Sequence, residues 1–205
     1  FIHEKQFSTD VSHELRTPLS VILAQSDYSL NYTETLKEAT EAFEVINRQA
    51  EKMKNLINQI MELSKLERQK EIEKERINFS NIILELLTDY KTLLELDEEK
   101  KVNLIIDVEK DLRIYGNRLM LERVFINLFT NAMKFTETMI SVSLKKINKK
   151  IILQIKDDGI GISKTDQKYI WNRFFQTSNS RNKDKNKGSG LGLSMVNRIV
   201  QLHSG

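Results

Sequence analysis

From Ala39 to Ile60 the apolar residues Ala39, Phe43, Ile46, Ala50, Met53, Ile57 and Ile60 recur at spacings of four and three. That alternation is the seam of a coiled coil held for about three heptads. It constrains the chain more than any other feature, because a helix so marked must lie along another helix. Residues from the start to about Leu30 also read as helical. The turn falls near Asn31, Tyr32 and Thr33, and Thr33 or Thr35 can cap the helix that follows. Leu56, Leu63 and Leu66 broaden the stripe beyond what one hairpin covers, so two hairpins are expected to pair into a four-helix dimer.

The first helix carries an unusual polar side. Projected at about 100° per residue, Phe7, Val11, Leu15, Leu19 and Ile22 fall in one sector. His13 falls nearly opposite, with Glu14 beside it and Thr17 one turn further along. A core histidine would need its ring on the stripe; a solvated one is open to chemistry, although an ordinary surface histidine has the same pattern. Pro18, the only proline, removes the helical hydrogen bond to the Glu14 carbonyl at a cost of roughly 3 kcal/mol, so a kink is expected beside His13.

The 205 residues suffice for one large domain or two smaller ones, and 40% hydrophobic with 30% charged residues suits a helix-rich protein with a core. A formal charge of +3 is too small to imply nucleic acid. Without cysteine there is neither a disulfide framework nor a thiolate metal site. No apolar run approaches the ~18 residues of a membrane span, and no signal peptide is visible. A start at Phe1, inside a helix and without methionine, reads as a fragment whose parent keeps any membrane segment elsewhere.

Residues 67–76, ERQKEIEKER, read as helix end and charged linker. Beyond them the pattern changes. A helix over about 81–100 precedes the strand VNLIIDV, a second strand at Leu112–Tyr115 and a helix over about 118–135. Ile140, Val142 and Leu144, then Ile151, Leu153 and Ile155, alternate with polar residues on either side of a turn at Asn148 and Lys149, a hairpin signature. The second half is thus expected to be an α+β layer structure with an antiparallel or mixed sheet.

Five clusters there suit a nucleotide. NLFTNAMKF sets Asn127 and Asn131 on one helix face with Lys134 a turn later; an asparagine oxygen suits Mg²⁺, which takes the rest of its shell from water and phosphate. KDDGIGI ends a strand with Asp157, an acceptor for an exocyclic amine, while Gly159 and Gly161 let backbone approach a planar ring. IWNRFFQ supplies Arg173 for a phosphate oxygen among Trp171, Phe174 and Phe175, which read as packing. Residues 176–187 carry Arg181, Lys183, Lys185 and Lys187, as a solvated loop or a phosphate-covering lid. GSGLGLSMV places Gly188, Gly190 and Gly192 before a helix, whose first amides can take an anion. Singly these are ordinary features; their order makes the case.

SHELRTPLS, NLFTNAMKF, DDGIGI, WNRFFQ and GSGLGL together resemble the phosphoacceptor, N, first glycine, F and second glycine boxes of the sensor histidine kinases of bacterial two-component systems, over essentially the whole chain. The resemblance implies a dimerisation and histidine-phosphotransfer hairpin at 1–66, a linker at 67–76 and an α/β sandwich ATP-binding domain of the GHKL type at 77–205. It implies that ATP phosphorylates His13, that Glu14 takes the Nδ1 proton, and that Thr17 orients water when the partner is dephosphorylated. Asn131 matches the magnesium ligand, Asn127 and Lys134 lie alongside the phosphates, and Phe135 and Asp157 match the adenine contacts. Arg173 matches the γ-phosphate arginine, and Gly159, Gly161, Gly188, Gly190, Leu191, Gly192 and Leu193 the glycine-box positions. The implied cofactors are ATP and Mg²⁺. The implied partners are a second copy and a response-regulator receiver domain, with the fragment cytoplasmic and its parent anchored in the bacterial inner or plasma membrane. A GHKL ATPase of the gyrase or chaperone kind would share the nucleotide clusters, but it lacks the hairpin and uses a carboxylate where Asn127 stands.

The chain departs from the family pattern in three respects. Lys187 replaces a frequent glycine, and Asp158 replaces a frequent asparagine, bringing a negative charge near the base-binding turn. The chain also stops at QLHSG, before the strand hairpin that completes the family's sheet, so the ATP domain is expected to be incomplete at its C-terminal end.

Overall fold

The sequence TLKE starts the second long helix with reciprocal bonds. The Thr35 hydroxyl accepts from Glu38 N–H at 3.2 Å, and the Glu38 carboxylate accepts from the N–H groups of Thr35 at 3.2 Å and Glu34 at 3.1 Å. This capping box satisfies amides that a helix start leaves without partners. The two backbone amides hold the Glu38 carboxyl below its ordinary pKa. Of the two threonines suited to the cap, Thr35 takes it. The structure, a computed structural model, describes residues 2–96, 101–177 and 188–205. It resolves into two units, Phe1–Lys65 and Leu66–Gly205.

The first unit is the hairpin of α1 (Ile2–Tyr32) and α2 (Leu36–Arg68), whose last turn, from Leu66, belongs to the second unit. Half of the predicted seam holds, with Ala39, Ile46, Met53 and Ile60 half-buried, and the other half is displaced by one position. Ala42, Leu56 and Leu63 are the buried residues, in a seven-residue register, whereas Phe43 is 69% and Ile57 43% exposed and Ala50 is also exposed. One residue of offset turns a side chain about 100° round the helix. The heptad is therefore present twice, and one hairpin leaves the Phe43, Ala50 and Ile57 stripe uncovered. Pro18 is buried, and α1 runs through it without a break.

The second unit contains β1 (Glu75–Asn78), α3 (Phe79–Leu96), β2 (Asn103–Val108), β3 (Arg113–Gly116), α4 (Arg118–Phe135), β4 (Met139–Ile147), β5 (Lys150–Asp157) and α5 (Gly192–Leu202). β1 begins inside the stretch read as linker. Ile77, its one buried residue, faces Ile114 of β3 in an antiparallel pair. In the larger sheet β4 is central, parallel to β2 and antiparallel to β5, so the sheet is mixed. Alternation puts Ile140, Val142 and Leu144 on the inner face, where all three are fully buried. α3 and α4 supply Ile83, Leu87, Phe125 and Phe129 to the same core. Phe125 and Phe129 stack with centroids 5.3 Å apart, and Tyr90 lies 4.8 Å from Phe129. Side chains of this size contribute about 1.5–3 kcal/mol each on full burial. The packing fixes α4 against the sheet and leaves its opposite, amide-bearing face toward the glycine segments.

Candidate functional site

On α1, His13 is exposed and its imidazole makes no hydrogen bond to another described residue. The Thr17 hydroxyl donates to the His13 carbonyl at 3.4 Å, one turn back along the helix. Glu14 is half-buried and is not joined to the imidazole. Successive helix residues point in different directions, so the helix itself does not bring the two side chains together. Ring accessibility is therefore as the stripe pattern implies, while the carboxylate is adjacent without contact.

In the second unit the site is built around α4. Its N-cap is Asn117, whose side-chain oxygen accepts from Met120 N–H at 3.1 Å. From this start, positions 127, 131 and 134 fall along one side of the helix. The Asn127 amide donates to the Arg123 carbonyl at 2.9 Å. Its oxygen faces Gly192, where a Cβ would stand 2.7 Å away. Asn131 is half-buried and makes no hydrogen bond to another described residue. Lys134 stands over the Phe135 ring at 4.7 Å, and a Cβ on Gly188 would lie 3.4 Å from its ammonium. Burial lowers the Lys134 pKa from its ordinary value.

The first glycine segment meets the other end of α4. Asp157 ends β5 opposite Ile140, and one of its oxygens accepts from Gly159 N–H at 3.0 Å. A Cβ at Gly159 would come within 2.1 Å of the Phe135 carbonyl oxygen, so only glycine fits this approach. Gly161 has φ +65°, a left-handed conformation. Asp158 brings a negative charge to this turn, as its position suggests, and that charge is surrounded by donors. Both carboxylate oxygens are occupied by donors of Thr136, Glu137 and Thr138.

The second glycine segment is held by the aromatic one. Phe174 N–H donates to the Gly190 carbonyl at 3.0 Å, and Gln176 donates to the Gly188 carbonyl at 2.7 Å. Phe174 and Gly190 both have positive φ, and a Cβ at Gly190 would meet the Phe174 backbone at 2.7 Å. Leu191 is fully buried, and its N–H donates to Ser189 Oγ at 3.2 Å; Leu193 is half-buried. No side chain caps the first turn of α5, which leaves helix-start amides available to an anion. Arg173 is ion-paired with Glu67. The basic residues Arg181, Lys183, Lys185 and Lys187 lie outside the described residues.

The structure thus gathers Asn127, Lys134, Gly188 and Gly192 along one side of α4, and Phe135 and Gly159 at its C-terminal end. Gln176, Glu67 and the Asp158 network were not singled out by sequence reasoning. The acid followed by glycine, and TET directly after the helix, were the available signals for the last.

Residues 3–69 match the family model of the His Kinase A (phospho-acceptor) domain, and residues 116–205 that of the histidine kinase-, DNA gyrase B-, and HSP90-like ATPase. Sensor histidine kinase YclK of Bacillus subtilis is 29% identical over 204 residues, covering 98% of this chain and 42% of that protein. The chain spans less than half the length of the first curated relatives it matches. Among solved structures, histidine kinase AdeS of Acinetobacter baumannii superimposes with a TM-score of 0.71 at 23% identity, over 93% of this chain and 86% of that one. Histidine kinase ThkA, solved in complex with the response regulator TrrA, gives 0.78 at 19% identity, over 98% of this chain and 55% of that one.

Proposed function

The chain belongs to the sensor histidine kinases, and from that premise we propose that it transfers the γ-phosphoryl group of ATP to its own His13. The observation that carries the reading is the approach of the second glycine segment to the Asn- and Lys-bearing side of α4 and of the first to its C-terminal end, in a chain that also exposes an imidazole on a hairpin helix. The lone pair of Nε2 attacks the γ-phosphorus, the bond from that phosphorus to the β–γ bridging oxygen breaks, and ADP leaves with its electron pair. Glu14 receives the Nδ1 proton, which returns the ring to neutrality once Nε2 carries phosphate. Because the two side chains do not touch in this structure, the proton passes on a side-chain rotation or through water.

The adenine ring rests beside Phe135, with Asp157 accepting from its exocyclic amine. One Asp157 oxygen is taken by Gly159 N–H, which leaves the other for the base. The α5 amides and Lys134 face the phosphates, and Arg173 exchanges Glu67 for the γ-phosphate. Phosphoryl transfer asks for this kind of positioning and charge neutralisation. The donor set also fits Mg²⁺. Asn131 offers an amide oxygen without a partner among the described residues, and no cluster of acidic or histidine ligands stands among them, as suits an ion that takes most of its shell from phosphate and water. When bound, the ion neutralises phosphate charge.

The uncovered Phe43, Ala50 and Ile57 stripe supports a homodimer of hairpins, since contiguous apolar surface on a helix asks for cover. The phosphohistidine then serves an aspartate on a receiver domain, the class of partner named for ThkA, with Thr17 positioned to orient water in the reverse, phosphatase direction. The functional division is a hairpin at 1–66, a connector at 67–76 and a catalytic domain at 77–205. No helix among the described residues is long and apolar enough to cross a membrane. From its family, the catalytic core is assigned to the cytoplasm, beneath a membrane-anchored parent. The test is incubation with γ-labelled ATP and Mg²⁺. An acid-labile label is expected that disappears in His13→Gln and in Asn131→Ala; a label persisting in His13→Gln overturns the proposal.

A further inference from the structure

Asp158 sits between Asp157, which faces the base in the reading above, and Gly159, which admits the end of α4. Its Oδ1 accepts from Thr136 Oγ1 at 2.7 Å, Glu137 N–H at 2.9 Å and Thr138 N–H at 3.1 Å. Its Oδ2 accepts from Thr138 Oγ1 at 2.6 Å and shares the Thr138 N–H at 3.1 Å. The proton of the Thr136 hydroxyl is also within reach of the Met139 carbonyl at 2.9 Å. Every donor to the carboxylate in this set comes from the three residues that directly follow Phe135.

This geometry has a chemical requirement. An amide in place of the carboxylate keeps its oxygen for Thr136 Oγ1 and the N–H groups of Glu137 and Thr138, but turns an uncharged NH₂ toward the second branch of the Thr138 N–H and toward the Thr138 hydroxyl. Only the Thr138 hydroxyl can reverse and accept. A carboxylate therefore gives the cluster charge-assisted bonds on both oxygens, where asparagine keeps neutral bonds on one. The two threonine hydroxyls accordingly hold the Asp158 carboxyl far below the usual carboxylate range.

The clamp also lies where it matters for selectivity. Phe135 and Asp157 stand on opposite sides of it, one ahead of the donors in the chain and one ahead of the acceptor. A few bonds fix the separation of the two groups that would enclose a purine. We propose that Asp158, with Thr136 and Thr138, is a positioning unit that sets the preference for adenine over guanine nucleotides without touching the nucleotide. The proposal rests on the ATP reading above. Adenine offers an amine to Asp157, whereas guanine offers a carbonyl oxygen at the equivalent edge. A fixed Asp157 discriminates between them, and a loosened one loses adenine affinity first.

The experiment measures ATP and GTP binding to the full chain by calorimetry, for the parent, Asp158→Asn, Asp158→Ala and Thr138→Val. Thermal melts are run alongside. Loss of hydrogen bonds to a charged group predicts about a tenfold fall in ATP affinity for Thr138→Val, a smaller fall for Asp158→Asn, which keeps the bonds to one oxygen, and a larger fall for Asp158→Ala. GTP affinity should change less, so the ATP-to-GTP ratio narrows, and KM for ATP should rise by more than kcat falls. If Asp158→Ala does not fold, the other two variants decide. ATP and GTP weakened by the same factor, or an unchanged ratio in every folded variant, overturns the proposal and leaves Asp158 a purely structural staple. A parent chain that binds ATP no better than GTP also overturns it, while a parent that binds neither refutes the nucleotide reading itself.

Discussion

Alanine substitution at the two glycines of the DDGIGI turn separates collision from conformational strain. At Gly159 the backbone is not left-handed, so an L-residue is conformationally acceptable; the obstacle is the Phe135 carbonyl, 2.1 Å from the new Cβ at its oxygen and 2.7 Å at its carbon. Both atoms lie well inside ordinary contact. The carbonyl belongs to the last residue of α4, and the residues after it are tied to Asp158, so it cannot rotate aside. Either the turn or the end of α4 must move by about an ångström. Overpacking of this kind costs about 1–3 kcal/mol, which is about 5- to 150-fold where it falls on nucleotide binding. At Gly161 a Cβ meets nothing within 4 Å, and the difficulty is φ +65°. An L-residue there costs about 1–2 kcal/mol, with asparagine tolerated better. Titration with a fluorescent ATP analogue should therefore show a loss near 100-fold for Gly159→Ala that Gly159→Asn does not restore. For Gly161→Ala the loss should be about tenfold, and Gly161→Asn should largely recover it. Equal losses at the two positions, or recovery by asparagine at Gly159, would refute the collision argument.

Three other perturbations have defined outcomes. His203 Nδ1 lies 2.8 Å from the Ile199 carbonyl and its Nε2 accepts from Asn117 N–H at 3.0 Å, which requires a neutral ring; burial foremost, with Lys74 nearby, lowers its pKa against the opposing Ile199 bond. The unfolded chain then takes up a proton that the folded one refuses, so stability is complete above about pH 6.5 and falls as pH drops below it. The parent's melting temperature should drop from pH 7.5 to 5.5 by more than that of His203→Gln, and parallel curves would contradict this. Glu67→Gln frees Arg173 from its ion pair and should raise ATP affinity by up to about fivefold at low salt, because partly exposed pairs are weak; an unchanged affinity would show that Glu67 does not compete with phosphate. Phe43→Glu places a charge on the uncovered stripe and should convert a dimer to a monomer in light scattering at micromolar concentration, whereas a dimer that survives it would put the interface elsewhere.

Local signals carried most of what could be read before the structure. The bounds of α4 follow from an asparagine cap and a continuous helical pattern, and the β4–β5 hairpin follows from strict alternation, because neighbours in sequence decide both. The TLKE box is equally local. Features that depend on distant residues were harder to read. β1 is highly charged, and its strand character comes from pairing with β3, so ERIN looks like linker in isolation. The displacement of the α2 seam arises because two heptad registers coexist and only tertiary packing selects which one a hairpin buries. Asp158 was visible as a charge beside a glycine turn, but the donors that claim it lie across the sheet at residues 136–138. The glycine and asparagine clusters were legible as a set, whereas the resting partner of Arg173 was not.

The most direct test of the account is to find where the phosphate goes. After reaction with ATP and Mg²⁺, peptide mapping by mass spectrometry at neutral to basic pH should place a single phosphate on the imidazole of His13. Phosphate on Ser12, Thr17 or any residue other than that histidine would contradict the central claim.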